Sequence, residues 1–562
     1  MKTFILILGV LLLIAQSGRS FTTTTSLINT RQSATPHHQY GPLLLPPSLS
    51  AISALETAVD TSSSSFHKDN NADDDGADYY HDTDNDDDTV SSETHRINLE
   101  LAKLAVACAD NTRQSQRLAL AAFDLLKHNM THPDTVAYNS VLKAFAKSAP
   151  SKFPPPASSR SSKWVSAAER AHHLLEEMMA VHKAQTAAYQ DWYIRRDKQQ
   201  TMSQAELQQG PPKIRVKPNV RSFSTVMDAY SRTGQVPETL QVLQELQDRY
   251  DETGDFALQP NIVSYNTVLA AYAKSRGGLP AAEQAEQFLE EQVVQPDVVS
   301  YNALLVCWAR SGVPHAGERA EAILRQMPVT PNTKSYATAM DALARCARSD
   351  SLSAARAHGL LKELQEAFEE TGDEALRPNC ISYSSVIHAY AVSKEPQKAQ
   401  RAFALLEEMK QKGQTDPAVR PNTVTYNSVL NACTTSSPLG DHHYDGGTNP
   451  KSLQSIVQSL YQELIQSDDP RLKPDHFTFG TVLKACANNI FWDDPTFGMY
   501  VFQEARRRGQ VSLGVLVQLR HAVPMHVLCE FMPSQAYDRE TRQFTMSHIP
   551  KAWTRNVRER KK

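Results

Sequence analysis

PDVVSYNALLVCWARSG, residues 296–312, carries a complete helix with its start and its stop. Pro296 ends whatever precedes it, because the residue before a proline is pushed out of the α region. Val299, Leu304, Leu305 and Trp308 then recur at helical spacing instead of alternating as a strand would. Gly312 supplies the left-handed residue on which helices commonly end. Past it, Ala316, Ala320, Ile323, Leu324 and Met327 form a second run of the same period, closed by Pro331. The unit is therefore helix, turn, helix.

Its opening heptapeptide recurs along the chain. It reads PDTVAYN from Pro133, PNVRSFS from Pro218, PNIVSYN from Pro260, PDVVSYN from Pro296, PNTKSYA from Pro331, PNCISYS from Pro378, PNTVTYN from Pro421 and, in weaker form, PDHFTFG from Pro474. The interval from Pro296 to Pro331 is 35 residues and the preceding one 36, with longer intervals accommodating insertions. A fixed period of this size is the signature of a solenoid. One hairpin cannot bury its own apolar face, so it is stable only when neighbours cover it. The expectation is an all-α fold, an α-solenoid of stacked helix-turn-helix repeats over residues 135–510. Insertions near 150–163, 185–213 and 436–450 are expected to be surface loops. Residues 97–134 read as a degenerate repeat or N-terminal cap, and 511–562 as a C-terminal extension with a basic tail.

The N-terminal residues differ in kind. Residues 1–20 hold Lys2, an apolar run from Phe4 to Ala15 and small residues at Ser17, Gly18 and Ser20, the layout of a signal peptide. The run is too short to span a bilayer, and no other stretch approaches that length, so no membrane anchor is expected after leader removal. Residues 21–56, rich in Ser, Thr and Pro, have transit-peptide composition. A two-part leader with Phe21 at the junction resembles those of diatoms and other algae with secondary plastids. Plain secretion is the alternative. Residues 57–95 are an Asp-dense run expected to be a disordered linker. The residues before Arg96 hold 4 of the 58 basic and 13 of the 62 acidic residues, so 54 and 49 remain and the rest of the chain carries +5. That permits an anionic partner without demanding one. Seven cysteines stand singly, with neither a CxxC nor zinc spacing, which reads as free thiols in a reducing compartment. Asp441, His442, His443 and Asp445 read as a solvated loop, and no metal or cofactor is expected.

IVSYNTVLAAYAKS from Ile262, VVSYNALLVCWARSG from Val298 and TVTYNSVLNAC from Thr423 resemble pentatricopeptide repeats, whose first helix begins VxTYNxLI and whose unit ends in Pro-Asp or Pro-Asn. The resemblance implies a right-handed superhelix that binds single-stranded RNA one base per repeat, read by the fifth residue of each unit together with its last. Carried onto this chain, the pairs are Asn139 with Asn219, Ser224 with Asn261, Asn266 with Asp297, Asn302 with Asn332, Ala337 with Asn379, Ser384 with Asn422, and Asn427 with Asp475. In the family's pattern Asn with Asp favours U, Asn with Asn a pyrimidine, and Ser with Asn favours A, giving 5′-Y-A-U-Y-N-A-U-3′. Val136, Val263, Val299, Ile381 and Val424, second in their units, are implied to sandwich the bases. Arg221 and Lys334 depart from that pattern and suit phosphate.

Other readings stand beside this one. An Asn or Asp at a helix start is also a favoured N-cap, whereas Asn at the fifth position is a poor helix former with no such excuse. The aromatic stripe of Tyr138, Phe223, Tyr265, Tyr301, Tyr336, Tyr383, Tyr426 and Phe479 is expected in the core, since it precedes the polar position. Trp553 and the basic tail suit either a nucleic acid or plain solvent. Residues for the family's deaminase extension, His-x-Glu with a downstream CxxC, are missing, so the expectation is a non-enzymatic protein acting on plastid transcripts. Mitochondrial residence is an alternative address. An α-solenoid scaffold for a protein or peptide is the rival, and the insertions could serve protein partners.

Overall fold

The computed structural model describes residues 88–557, apart from 109–112, 131, 150–151, 154–164, 199–201, 437–452, 489, 491–495, 534, 539–540 and 542. The chain divides into two units, 1–79 and 80–562. The first lies outside the described residues, as do the two-part leader, most of the acidic run, the Asp441–Asp445 loop and the last five residues of the tail.

The second unit is a stack of helical hairpins. Its helices are α1 (Asp88–Ala107), α2 (Arg113–Asp124, continued by a π turn, Leu125–Asn129), α3 (Thr135–Ser148), α4 (Ala167–Asp197), α5 (Gln204–Gln209), α6 (Val220–Thr233), α7 (Val236–Thr253), α8 (Ile262–Lys274), α9 (Gly278–Glu291), α10 (Val298–Arg310) and α11 (Ala316–Gln326). The series continues with α12 (Thr333–Cys346), α13 (Ser353–Thr371), α14 (Cys380–Val392), α15 (Lys398–Thr415), α16 (Thr423–Thr435), α17 (Leu453–Gln466), α18 (His476–Ala487), α19 (Phe497–Arg507), α20 (Leu513–Ala522), α21 (Met525–Phe531) and α22 (Lys551–Thr554). The first helices α1, α3, α6, α8, α10, α12, α14, α16, α18 and α20 each lie against the next, and each is backed by its own second helix. Buried apolar residues run from Ile97 to Ala342 and from Leu324 to Ile549, meeting at α11 and α12. The solenoid expected from the period is thus the fold.

Local chemistry sets the register of the stack. The second helices α7 and α13 end on left-handed Gly254 and Gly372, with φ of 62° and 65°. Asp255, Asp373, Asp416 and Asp469 then each cap a short 3-10 turn by accepting from a backbone amide at 2.8 to 3.0 Å. The turns plug the seam with buried Leu258, Leu376 and Val419. Thr333 and Thr423, first in their units, bridge their hydroxyls to the carbonyls of Ala375 and Arg377 and of Arg471 and Lys473, at 2.8 to 3.0 Å. The layers of α12 and α16 are thereby tied to the linkers that follow them.

Three expectations are corrected. Helix α1 starts at Asp88, inside the acidic run, and pairs with α2 as a first hairpin. The stretch 185–213 is not simply a loop: α4 runs on to Asp197 and α5 follows. A Ser166/Glu169 capping box starts α4, and nothing between Ala167 and Asp197 is Gly or Pro, so the helix has no reason to stop. At the other end the stack does not finish at 510. Helix α20 lies along α18 as a further first helix, capped by Ser512, which accepts from the Val515 amide at 3.3 Å. Near 150–163, Lys152–Phe153 pairs with Val165–Ser166 as a two-residue antiparallel ribbon.

Candidate nucleic-acid interface

The last-position residues do cap. The side-chain oxygens of Asn219, Asn261, Asp297, Asn332, Asn379, Asn422 and Asp475 accept from the amide three residues on, at 2.8 to 3.2 Å. The residues supplying those amides, Ser222, Ser264, Ser300, Ser335, Ser382, Thr425 and Thr478, are fully buried. Such a cap is worth about 1 kcal/mol.

Capping is only half of what these residues do, because the fifth-position side chains reach across to the same place. The Asn266 amide donates to Asp297 Oδ1 at 3.1 Å, Asn427 to Asp475 Oδ1 at 3.1 Å, and Asn302 to Asn332 Oδ1 at 3.4 Å. Elsewhere the bond is to the buried third-position hydroxyl of the next unit. Ser222 donates to Asn139 Oδ1 at 2.7 Å, while Ser224 meets Ser264 at 3.2 Å and Ser384 meets Thr425 at 2.8 Å. Ala337 has no polar group to offer Asn379. Every sequence-paired fifth and last residue otherwise belongs to one polar cluster per seam. At Asp297 burial opposes ionisation, but the Ser300 amide, the Asn266 amide and the Ser300 hydroxyl prevail and hold the carboxyl below its ordinary value.

Beside this row stand apolar side chains that face solvent. Val136, Val263, Val299, Ile381 and Val424 are 51 to 66 % exposed. Single exposed apolar residues are ordinary, but a series recurring at one position in successive units is a ridge. Arg221 and Lys334, at the equivalent position, are exposed as well. The fourth-position aromatics turn inward as expected: Tyr383, Tyr426, Phe223 and Phe479 are buried, and Tyr265 lies 5.9 Å from Phe288.

Several residues join the row that the sequence reading did not assign. Asn98 in α1 donates to Asp134 Oδ2 at 2.9 Å, the same bond that links Asn266 to Asp297, and Ile97 fills the core position taken elsewhere by the aromatic. Asp134 precedes Thr135 as the last residue of the preceding unit, which was the available signal. Phe477, second in its unit, is 52 % exposed and continues the apolar ridge. The side-chain oxygens of Asn98, Asn302 and Asn427 are buried and have no protein partner. Lastly, Lys147, Arg232, Lys274, Arg310 and Arg345 end the first helices of five consecutive units. Burial lowers the Lys274 pKa, and the Arg232 and Arg310 charges lower it further while Asp228 opposes them.

Trp553 is used for packing. It stands edge-on to Phe502 at 6.0 Å, under the Arg506 guanidinium at 4.1 Å. The seven cysteines are free thiols, and burial raises those of Cys108 and Cys307 to about 11 and about 12. Among the described residues no group of three or more His, Cys, Asp or Glu could hold a metal ion, and no helix is long and apolar enough to cross a membrane.

A sequence model of the pentatricopeptide repeat domain matches residues 250–311 and 366–435, and one of the single repeat matches 221–250. The matched segments, 221–311 and 366–435, are similar to pentatricopeptide repeats. Among solved structures, it is similar to the pentatricopeptide repeat protein PPR10 in complex with an 18-nt psaJ RNA element, at 20% identity over 76% of this chain and 45% of that one, with a TM-score of 0.28. PPR10 from maize is similar at 17% identity over 77% and 63%, with a TM-score of 0.29. The chain thus spans less than two thirds of each. No curated protein matches it.

Proposed function

We propose that this stack of pentatricopeptide repeats binds single-stranded RNA, one base per repeat, and acts on organelle transcripts without catalysis. One observation carries the reading: an exposed apolar side chain and a polar pair recur in phase on successive first helices. An unpaired base has a flat apolar face and a hydrogen-bonding edge, and such a row offers one surface for each. The cations ending the first helices suit the phosphates between.

Each polar pair already satisfies much of itself, so a base must compete for its groups. Asp297 accepts through Oδ1 from Asn266 and Ser300 and can only accept, which suits the imino N–H of U. Asn98 with Asp134 adds a U-type pair before the first, extending the target to 5′-U-Y-A-U-Y-N-A-U-3′. Coating such a stretch would block nucleases or keep a hairpin open. The two-part leader points to the plastid, and the insertions are candidate contacts for protein partners.

The test is a double exchange, Asn266→Ser with Asp297→Asn. Preference at the base that this pair reads should move from U to A, by roughly tenfold if one well-made contact is at stake. Unchanged preference on a panel of variant RNAs would refute base reading.

A further inference from the structure

Four cations gather where the row of terminal cations gives out. From α14 onward the equivalent positions are Val392 and Thr435, yet an open cavity of about 340 Å³ lies beside them, lined by Arg348, Lys394, Lys398, Lys484, Asn431 and Thr435. These residues come from four successive units, and no carboxylate is among them. Lys398 is only 6 % exposed, a costly place for an ammonium, and its Nζ donates to the Ser393 carbonyl at 2.9 Å. Burial lowers its pKa and the Lys484 charge lowers it further. Nearby cations on the second-helix side are paired: Arg401 with Glu395, Lys412 with Glu408, and Arg377 with Asp416. Among the described residues, Arg348, Lys394 and Lys484 have no such partner. A buried or clustered cation without a counter-charge is stable when an anion supplies it.

Place identifies the anion. Asn431 and Lys484 stand one helical turn beyond Asn427 and Gly480, the fifth residues of their units, and Thr435 two turns beyond Asn427. That is about 6 to 12 Å along the helix axis, the offset between a base edge and its own phosphate. We propose that this pocket seats a phosphate of the bound strand, anchoring it at the C-terminal half of the row. The proposal rests on the RNA reading and deepens it.

The test uses a single-stranded RNA carrying 5′-CAUCAAU-3′, in the full chain and in two variants. Lys398→Met with Lys484→Gln removes the inner charges, and Arg348→Gln with Lys394→Gln removes the exposed ones without risk to the core. Either variant should lose about tenfold in affinity, equally for this RNA and one of unrelated sequence. The slope of log K against log salt should fall by about 0.7 for each phosphate of a single strand that is no longer neutralised. Undiminished affinity and slope in both folded variants, with wild-type binding intact, would overturn the pocket and leave the RNA reading standing. If the wild type binds no RNA, the reading itself fails. Inorganic pyrophosphate then decides the pocket: saturable binding that both variants lose supports an anion site, and no saturable binding overturns it.

Discussion

Replacing Asp297 by Ala removes three hydrogen bonds at once. Its Oδ1 accepts from the Ser300 amide at 2.8 Å, from the Ser300 hydroxyl at 3.0 Å and from the Asn266 amide at 3.1 Å. Losing the cap costs about 1 kcal/mol. Leaving the Asn266 amide without its acceptor adds about 1 kcal/mol, while the Ser300 hydroxyl keeps Asn266 Oδ1 as partner. The expected loss is therefore about 2 kcal/mol, read from urea unfolding at unchanged m-value. Asp297→Asn keeps an equivalent oxygen and should stay within about 0.5 kcal/mol of wild type. Hydrogen exchange at the Ser300 amide should accelerate in the Ala variant and hardly change in the Asn variant. Because the folded carboxyl titrates below its ordinary value, the stability it adds is full above about pH 4 and fades as pH falls through the folded pKa; Asp297→Asn should lose that acid dependence. An Ala variant as stable as wild type, or an Asn variant as damaged as Ala, would refute the argument that this residue ties two layers together.

Further substitutions separate structure from recognition. Val424→Ala, at a 64 % exposed side chain, should change stability by no more than about 0.5 kcal/mol yet weaken RNA binding several-fold, by titration. Tyr383→Ala, in a fully buried aromatic bonded to Glu408 at 3.0 Å, should cost about 3 to 5 kcal/mol in chemical unfolding. Ala337→Asn should create base selectivity at the open position, on an RNA panel varied only there. Gly234→Ala should destabilise by more than about 1 kcal/mol, because φ is 71° and a Cβ would lie 2.8 Å from the Lys274 carbonyl oxygen.

The sequence revealed the repeat because it writes the same helix start, Pro then Asn or Asp, again and again. Where that punctuation is lost, legibility failed. Gln510-Val511-Ser512 opens a unit through a Ser cap with no Pro, so the layer of α20 passed for an extension. Asn98 lay in a hairpin read as degenerate, where Ile97 stands in place of the aromatic and the start falls in an acidic run. A polar stretch from Gln185 resembled a loop by composition, although helices need breakers to stop and it has none before Asp197. The third-position Ser or Thr was visible in nearly every heptapeptide, but its role exists only across a seam, where the next layer brings it to Asn139 or Ser384. Trp553 showed the converse: a lone aromatic in a basic tail suggests stacking, and only packing reveals Phe502 beneath it. The pocket of Lys398 draws on four units and has no linear pattern.

The most direct measurement is selection from random single-stranded RNA on the protein from Asp88 onward, repeated at rising salt. The account predicts enrichment of a pyrimidine-A-U-pyrimidine core that survives moderate salt, because base contacts persist where phosphate attraction is screened. Weak binding that vanishes with salt and enriches no sequence would contradict it.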